Sequence, residues 1–171
     1  MNIERFRQRA QSLVRYCHAE GYNERVVLLW DLSRHSGLRR FVVWNVVEDR
    51  AEYCFVCSHG SGSERSRVRS AYAECSNAEG SHLSSLGRAL VSERYGGRYG
   101  VAYRLDGLDE SNSALRERCV VLHGWRHTTS LPIYPFPSVG SWGCPVLSQK
   151  AMRVVDGILQ REKNVVLWAY K

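Results

Sequence analysis

The sequence predicts a mostly β (α+β) domain with one helix towards each end of the chain. Three observations predict it. Apolar runs rich in β-branched and aromatic residues recur between short polar turns. Helical apolar periods occur only near the start and after Ser148. The length, 171 residues, suits one domain.

Taking the elements in order, Ile3, Phe6, Ala10, Leu13, Val14 and Cys17 recur at helical spacing, with arginine and glutamine between them. Residues 1–24 therefore read as an amphipathic helix packed on the body of the domain, residues 25–171. Strands follow at 25–32, 39–47 and 51–57. The links at Ser36-Gly37 and Glu48-Asp49 make them an antiparallel meander. Residues 59–86 are rich in serine and glycine, and a segment this long without its own structure is usually functional or disordered. Residues 89–105 read as a hairpin turning at Gly96-Gly97, and 112–116 as a short helix. A buried strand over 118–122 runs into His123-Gly124. A loop with Pro132, Pro135 and Pro137 leads to Gly140-Ser141-Trp142-Gly143-Cys144-Pro145. Ser148 is placed to cap a helix over 149–162, and 165–170 is a last apolar strand. No internal repeat or second domain is visible.

Composition narrows the function. Hydrophobic content of 44% and charged content of 24% are those of an ordinary globular domain. The net charge is +7, mostly from scattered arginine, and no basic stripe with interleaved aromatics forms. Nucleic acid is therefore not an expected partner. Neither is a membrane, because no apolar run approaches the ~18 residues of a spanning helix. The first twenty residues carry Glu4 and several arginines and no apolar core of a secretory signal. The six cysteines include several within apolar runs, where a free thiol behaves as a small buried hydrophobe. A reducing cytoplasm is the expected setting.

Two residues invite chemistry. Cys144 follows a loop and lies among small residues; Gly140 and Gly143 would let backbone amides approach a bound carbonyl. A buried structural cysteine at a turn is the alternative. His123 ends an apolar strand, where a base is fixed yet accessible; an ordinary surface histidine is the alternative. The pairing with a cysteine 21 positions on favours chemistry. Cys54 and Cys57 have C-x-x-C spacing with His59 following, but no second ligand pair exists and the neighbours are apolar, so no metal is expected. Trp30, Trp44 and Trp168 read as core, while Trp125 and Trp142 flank the candidate pair.

His123-Gly124 followed by Ser141-Trp142-Gly143-Cys144 resembles the YkuD-type L,D-transpeptidase pattern. In particular it is similar to the murein L,D-transpeptidase-like subfamily, through Ser58-His59-Gly60-Ser61-Gly62, Cys75-Ser76-Asn77, the segment 80–87, Tyr95-Gly96-Gly97 and Leu105-Asp106-Gly107-Leu108, in that order. The likeness runs from about Asp31 to Tyr170 and leaves out the N-terminal helix. It implies a β-sandwich-like fold, no cofactor, Cys144 as nucleophile and His123 as base. By the same resemblance the Gly124 carbonyl orients the imidazole, and the Gly143 and Cys144 amides hold the oxyanion. The implied substrate is a muropeptide tetrapeptide. Two positions depart from the broader pattern: Trp142 stands where histidine is usual, and Val146 where arginine or asparagine is frequent. His59, Asn77, Ser84, Ser85, Arg104, Ser141 and Trp142 are candidates to hold the substrate instead. With no export signal in view, a cytoplasmic L,D-carboxypeptidase is expected ahead of a cross-linking transpeptidase or an inactive muropeptide-binding module.

Overall fold

The computed structural model describes residues 3–65 and 67–171. Its elements run α1 (Ile3–Glu20), β1 (Val26–Asp31), β2 (Arg39–Asn45), β3 (Arg50–Ser58), β4 (Gly87–Gly97), β5 (Gly100–Gly107), a 3-10 turn (Glu110–Asn112), β6 (Val121–Gly124), β7 (Val146–Leu147), α2 (Gln149–Arg161) and β8 (Val166–Tyr170). Among these residues the strands close into a barrel, ordered β1-β2-β3-β7-β6-β5-β4-β8, rather than forming a sandwich. Two joints make the difference. β7 bridges β3 (antiparallel) and β6 (parallel), and β8 bridges β1 (parallel) and β4 (antiparallel). β7 is two residues long, too short to show any alternation in sequence.

The meander β1-β2-β3 is antiparallel. β1 is buried along its whole length because both of its faces are covered. Val27 and Leu29 join Phe6, Ala10, Leu13 and Cys17 of α1. Leu28 and Trp30 join Met152, Val155 and Leu159 of α2. The Ser148 hydroxyl caps α2 by accepting from the Ala151 amide at 3.1 Å. Asp156 ties the same helix to the β4–β5 hairpin, accepting from Arg94 Nε at 2.7 Å and from the Tyr103 hydroxyl at 2.6 Å.

Three boundaries differ from the sequence expectation. Gly97 pairs with Gly100, so the hairpin turns at Arg98-Tyr99 while Gly96 and Gly97 lie in β4. The segment read as a short helix is the 3-10 turn followed by further turns. β6 starts at Val121 because Cys119 sits in left-handed backbone (φ 53°), which breaks the extended chain before it.

The long segment 59–86 is tied down by bridges Gly60–Ser141, Arg69–Val139 and Cys75–Ser84. It crosses the face of the barrel where β6 and β7 meet. None of the described helices is long and apolar enough to cross a membrane.

Candidate active site

The parallel pairing of β6 with β7 creates the site. His123 is in register with Val146, so the chain just before β7 runs beside Val121. The Val121 amide donates to Cys144 Sγ at 3.4 Å, and the His123 amide donates to the Pro145 carbonyl at 3.4 Å. Cys144 and His123 line one cavity of about 500 Å³.

His123 is 7% exposed, and its Nδ1 lies 3.0 Å from the Gly124 carbonyl. A carbonyl only accepts, so Nδ1 carries the proton and Nε2 is left with a lone pair. The Tyr99 ring stacks on the imidazole with centroids 5.0 Å apart. Burial holds the His123 pKa below its usual 6.5, against the pull of the Gly124 hydrogen bond. Burial also pushes the Cys144 thiol up to about 11, opposed by the Val121 amide and the Arg118 charge. The resting pair is therefore a neutral thiol and a neutral imidazole, and no hydrogen bond joins them among the described residues. Proton transfer between them is uphill until the sulfur begins to bond to something else.

The backbone around Cys144 is held from three sides. Gly143 has φ +109°, and a Cβ there would come within 2.9 Å of the Leu83 carbonyl, so only glycine fits. The Ser84 hydroxyl donates to the Gly143 carbonyl at 2.8 Å and accepts from the Gly60 amide at 2.9 Å. The Ser141 hydroxyl donates to the Cys144 carbonyl at 2.6 Å. Both carbonyls are thereby occupied by the protein. On the other wall, Gly124 packs against α2: a Cβ there would be 3.0 Å from Met152 Cβ.

The family model described as an L,D-transpeptidase catalytic domain matches residues 1–170. The chain belongs to this family. The matched residues include those of α1. Among solved structures, the L,D-transpeptidase domain is similar to Ldtfm in its avibactam carbamoyl enzyme, with a TM-score of 0.53 and 11% identity over 86% of this chain and 49% of that one. It is similar to the L,D-transpeptidase from Mycobacterium smegmatis, with a TM-score of 0.51 and 11% identity over 86% and 59%. It is also similar to Bdellovibrio bacteriovorus Bd1075, with a TM-score of 0.50 and 16% identity over 88% and 49%. At these identities the likeness is one of fold. The chain spans 49–60% of the length of the solved structures it matches. No protein of curated function matches it.

Within this L,D-transpeptidase-family domain the expected substrate residues divide. Ser141 and Trp142 line the cavity with Cys144 and His123, and Trp142 is 59% exposed beside the His82 ring. The others do not line it. His59 is buried, with Nδ1 accepting from Arg40 Nη2 at 2.5 Å. Ser84 is spent on the Gly143 carbonyl. Ser85 accepts from Arg118 Nη1 at 2.8 Å and links to the Asn77 amide at 3.1 Å, so both stand behind the wall. Arg104 pairs with Glu93 at 2.9 Å and covers the Tyr95 ring. Tyr99, His82, Arg118 and Cys119 also line the cavity, and the sequence reading gives none of them a place in the site. The two-residue hairpin turn was the one available signal for Tyr99; Arg118 has no motif around it.

Proposed function

We propose that this domain is a cysteine L,D-carboxypeptidase that removes the terminal D-alanine from peptidoglycan tetrapeptides. The observation that carries the reading is one cavity shared by the Cys144 thiol and a neutral His123 whose Nε2 is free to take a proton. Cys144 Sγ attacks the carbonyl of the third residue's L-centre as His123 Nε2 takes the thiol proton. The amides of Gly143 and Cys144 receive the developing oxyanion, on a backbone turn that only glycine permits. His123 then gives its proton to the departing amine, and D-alanine leaves. Water, deprotonated by His123, attacks the thioester, releasing the tripeptide and restoring the thiol. Hydrolysis is preferred over cross-linking because all six cysteines are unpaired. That suits a reducing cytoplasm, where wall peptides are trimmed rather than joined.

The test is mass spectrometry of a disaccharide-tetrapeptide incubated with the protein, with and without a D-amino acid acceptor, beside Cys144→Ala. Loss of one D-alanine, unaffected by acceptor and absent in the variant, is the expected result. Exchanged or cross-linked product would make the domain a transpeptidase. An unchanged substrate under every condition would leave a binding module.

A further inference from the structure

Arg118 stands in the turn before β6 and lines the nucleophile's cavity. Its Nη1 donates to the Ser76 carbonyl at 3.0 Å and to the Ser85 hydroxyl at 2.8 Å. Its Nη2 donates to the Ser81 hydroxyl at 3.2 Å and to the Leu83 carbonyl at 2.6 Å. The same Nη2 is 3.4 Å from where a Cβ on Gly143 would stand, next to the nucleophile in sequence. Every one of these acceptors is neutral. Among the described residues no carboxylate forms an ion pair with Arg118. A half-buried guanidinium held by neutral groups keeps its field, which is strongest in the poorly solvated space around it.

We propose that Arg118 is a positioning residue whose fixed charge favours the Cys144 thiolate at the moment the thiol gives up its proton. The position two residues after the cysteine, where the family pattern often has arginine or asparagine, is filled here by buried Val146, so the charge arrives from a different segment. This rests on Cys144 being the nucleophile. Glu117, Cys119 and His123 line the cavity from the β6 side. Arg65, Arg67, Glu79 and His82 line it from the long segment, and Arg98 and Tyr99 from the hairpin turn. The Arg118 charge favours the ionised thiol, against the burial that holds it neutral.

The experiment is alkylation of the full chain by iodoacetamide at a series of pH values below the thiol's midpoint, with each cysteine read separately by peptide mass spectrometry. In that range the rate follows the thiolate fraction, so a shift of one unit is about tenfold. Arg118→Gln, which keeps hydrogen-bond donors and loses charge, is expected to slow Cys144 roughly tenfold at every pH, with the other cysteines unchanged. Arg118→Lys is expected to stay within about threefold of the parent. Ser81→Ala, which removes one acceptor and keeps the charge, is expected to leave the rate alone. A parental rate in Arg118→Gln would overturn the proposal, and so would an equal loss in Arg118→Lys. If Arg118→Gln does not fold, a tenfold loss in Ser81→Ala would overturn it by assigning the effect to the loop. Tetrapeptide cleavage that survives Cys144→Ala would instead remove the nucleophile assignment, and the alkylation comparison would still report on Arg118.

Discussion

As the base proposed above, His123 would work only while neutral, and burial favours that form. Its pKa is lowered by burial, so activity present above that value is lost as pH falls through it. The acid limb of kcat/KM is therefore expected below pH 6.5, the ordinary histidine value. His123→Gln should cost about 10²–10⁴-fold in kcat and remove that limb from the pH–rate profile. Tyr99 supplies part of the cover. Tyr99→Ala admits water, raises the His123 pKa and moves the acid limb to higher pH, whereas Tyr99→Phe keeps the ring and should leave the limb in place. At this scale the sequence pairs His123 with Cys144 through their motifs, and the structure places both on one cavity. The sequence was silent on Arg118 and Tyr99. Their roles come from long-range packing: a guanidinium reaching residues 33 to 42 positions earlier, and a ring laid over a strand 24 positions later.

Helix α2 and strand β6 meet at Gly124, and the carbonyl that fixes the imidazole sits at that contact. Gly124→Ala forces a methyl against Met152 Cβ and the Gln149 side chain. Overpacking of this kind costs about 1–3 kcal/mol, to be measured by urea unfolding, and kcat should fall with it as the carbonyl shifts. Gly96→Ala is the control, because nothing lies within 4 Å of its Cβ position. Both long helices, the meander and the last strand were legible because each carries its own period over many residues. β7 was not, since two residues carry no period, and with it went the closure of the sheet. The hairpin turn was misplaced because Gly96 and Gly97 look like a turn locally, while register with β5 decides where the chain reverses.

Across the whole molecule, a second pH-sensitive feature is built on a buried arginine in β2. β2 carries one extra residue at Arg40 between the pairs Arg39–Val56 and Phe41–Phe55, and this bulge turns the arginine inward. Fully buried, Arg40 donates to the Cys57 carbonyl at 2.9 Å, the Arg34 carbonyl at 3.1 Å and His59 Nδ1 at 2.5 Å. Burial and that neighbouring charge hold the His59 pKa down to about 3. The unfolded chain takes up this proton near pH 6.5 and the folded chain does not. Stability is thus fully present above that pH and is lost on acidification towards about 3, at about 1.4 kcal/mol per unit. His59→Asn keeps an acceptor for Arg40 and cannot titrate, so its thermal midpoint should fall less steeply between the two values. His59, offered by the sequence reading as a candidate to hold substrate, is bound to Arg40.

The closed ring of strands has a further consequence. A sheet with a free margin can recruit an extended guest by main-chain pairing, which rewards length and is nearly blind to side chains. Here β8 pairs with β1 over Leu28–Asp31, and β7, which begins two residues along the chain from Cys144, pairs with β3 at Cys57 and Ser58. A peptide arriving at Cys144 would find that end of β3 already occupied. On the proposed function, its own side chains and terminus would then carry recognition there, and a short, highly functionalised peptide would lose nothing by being short.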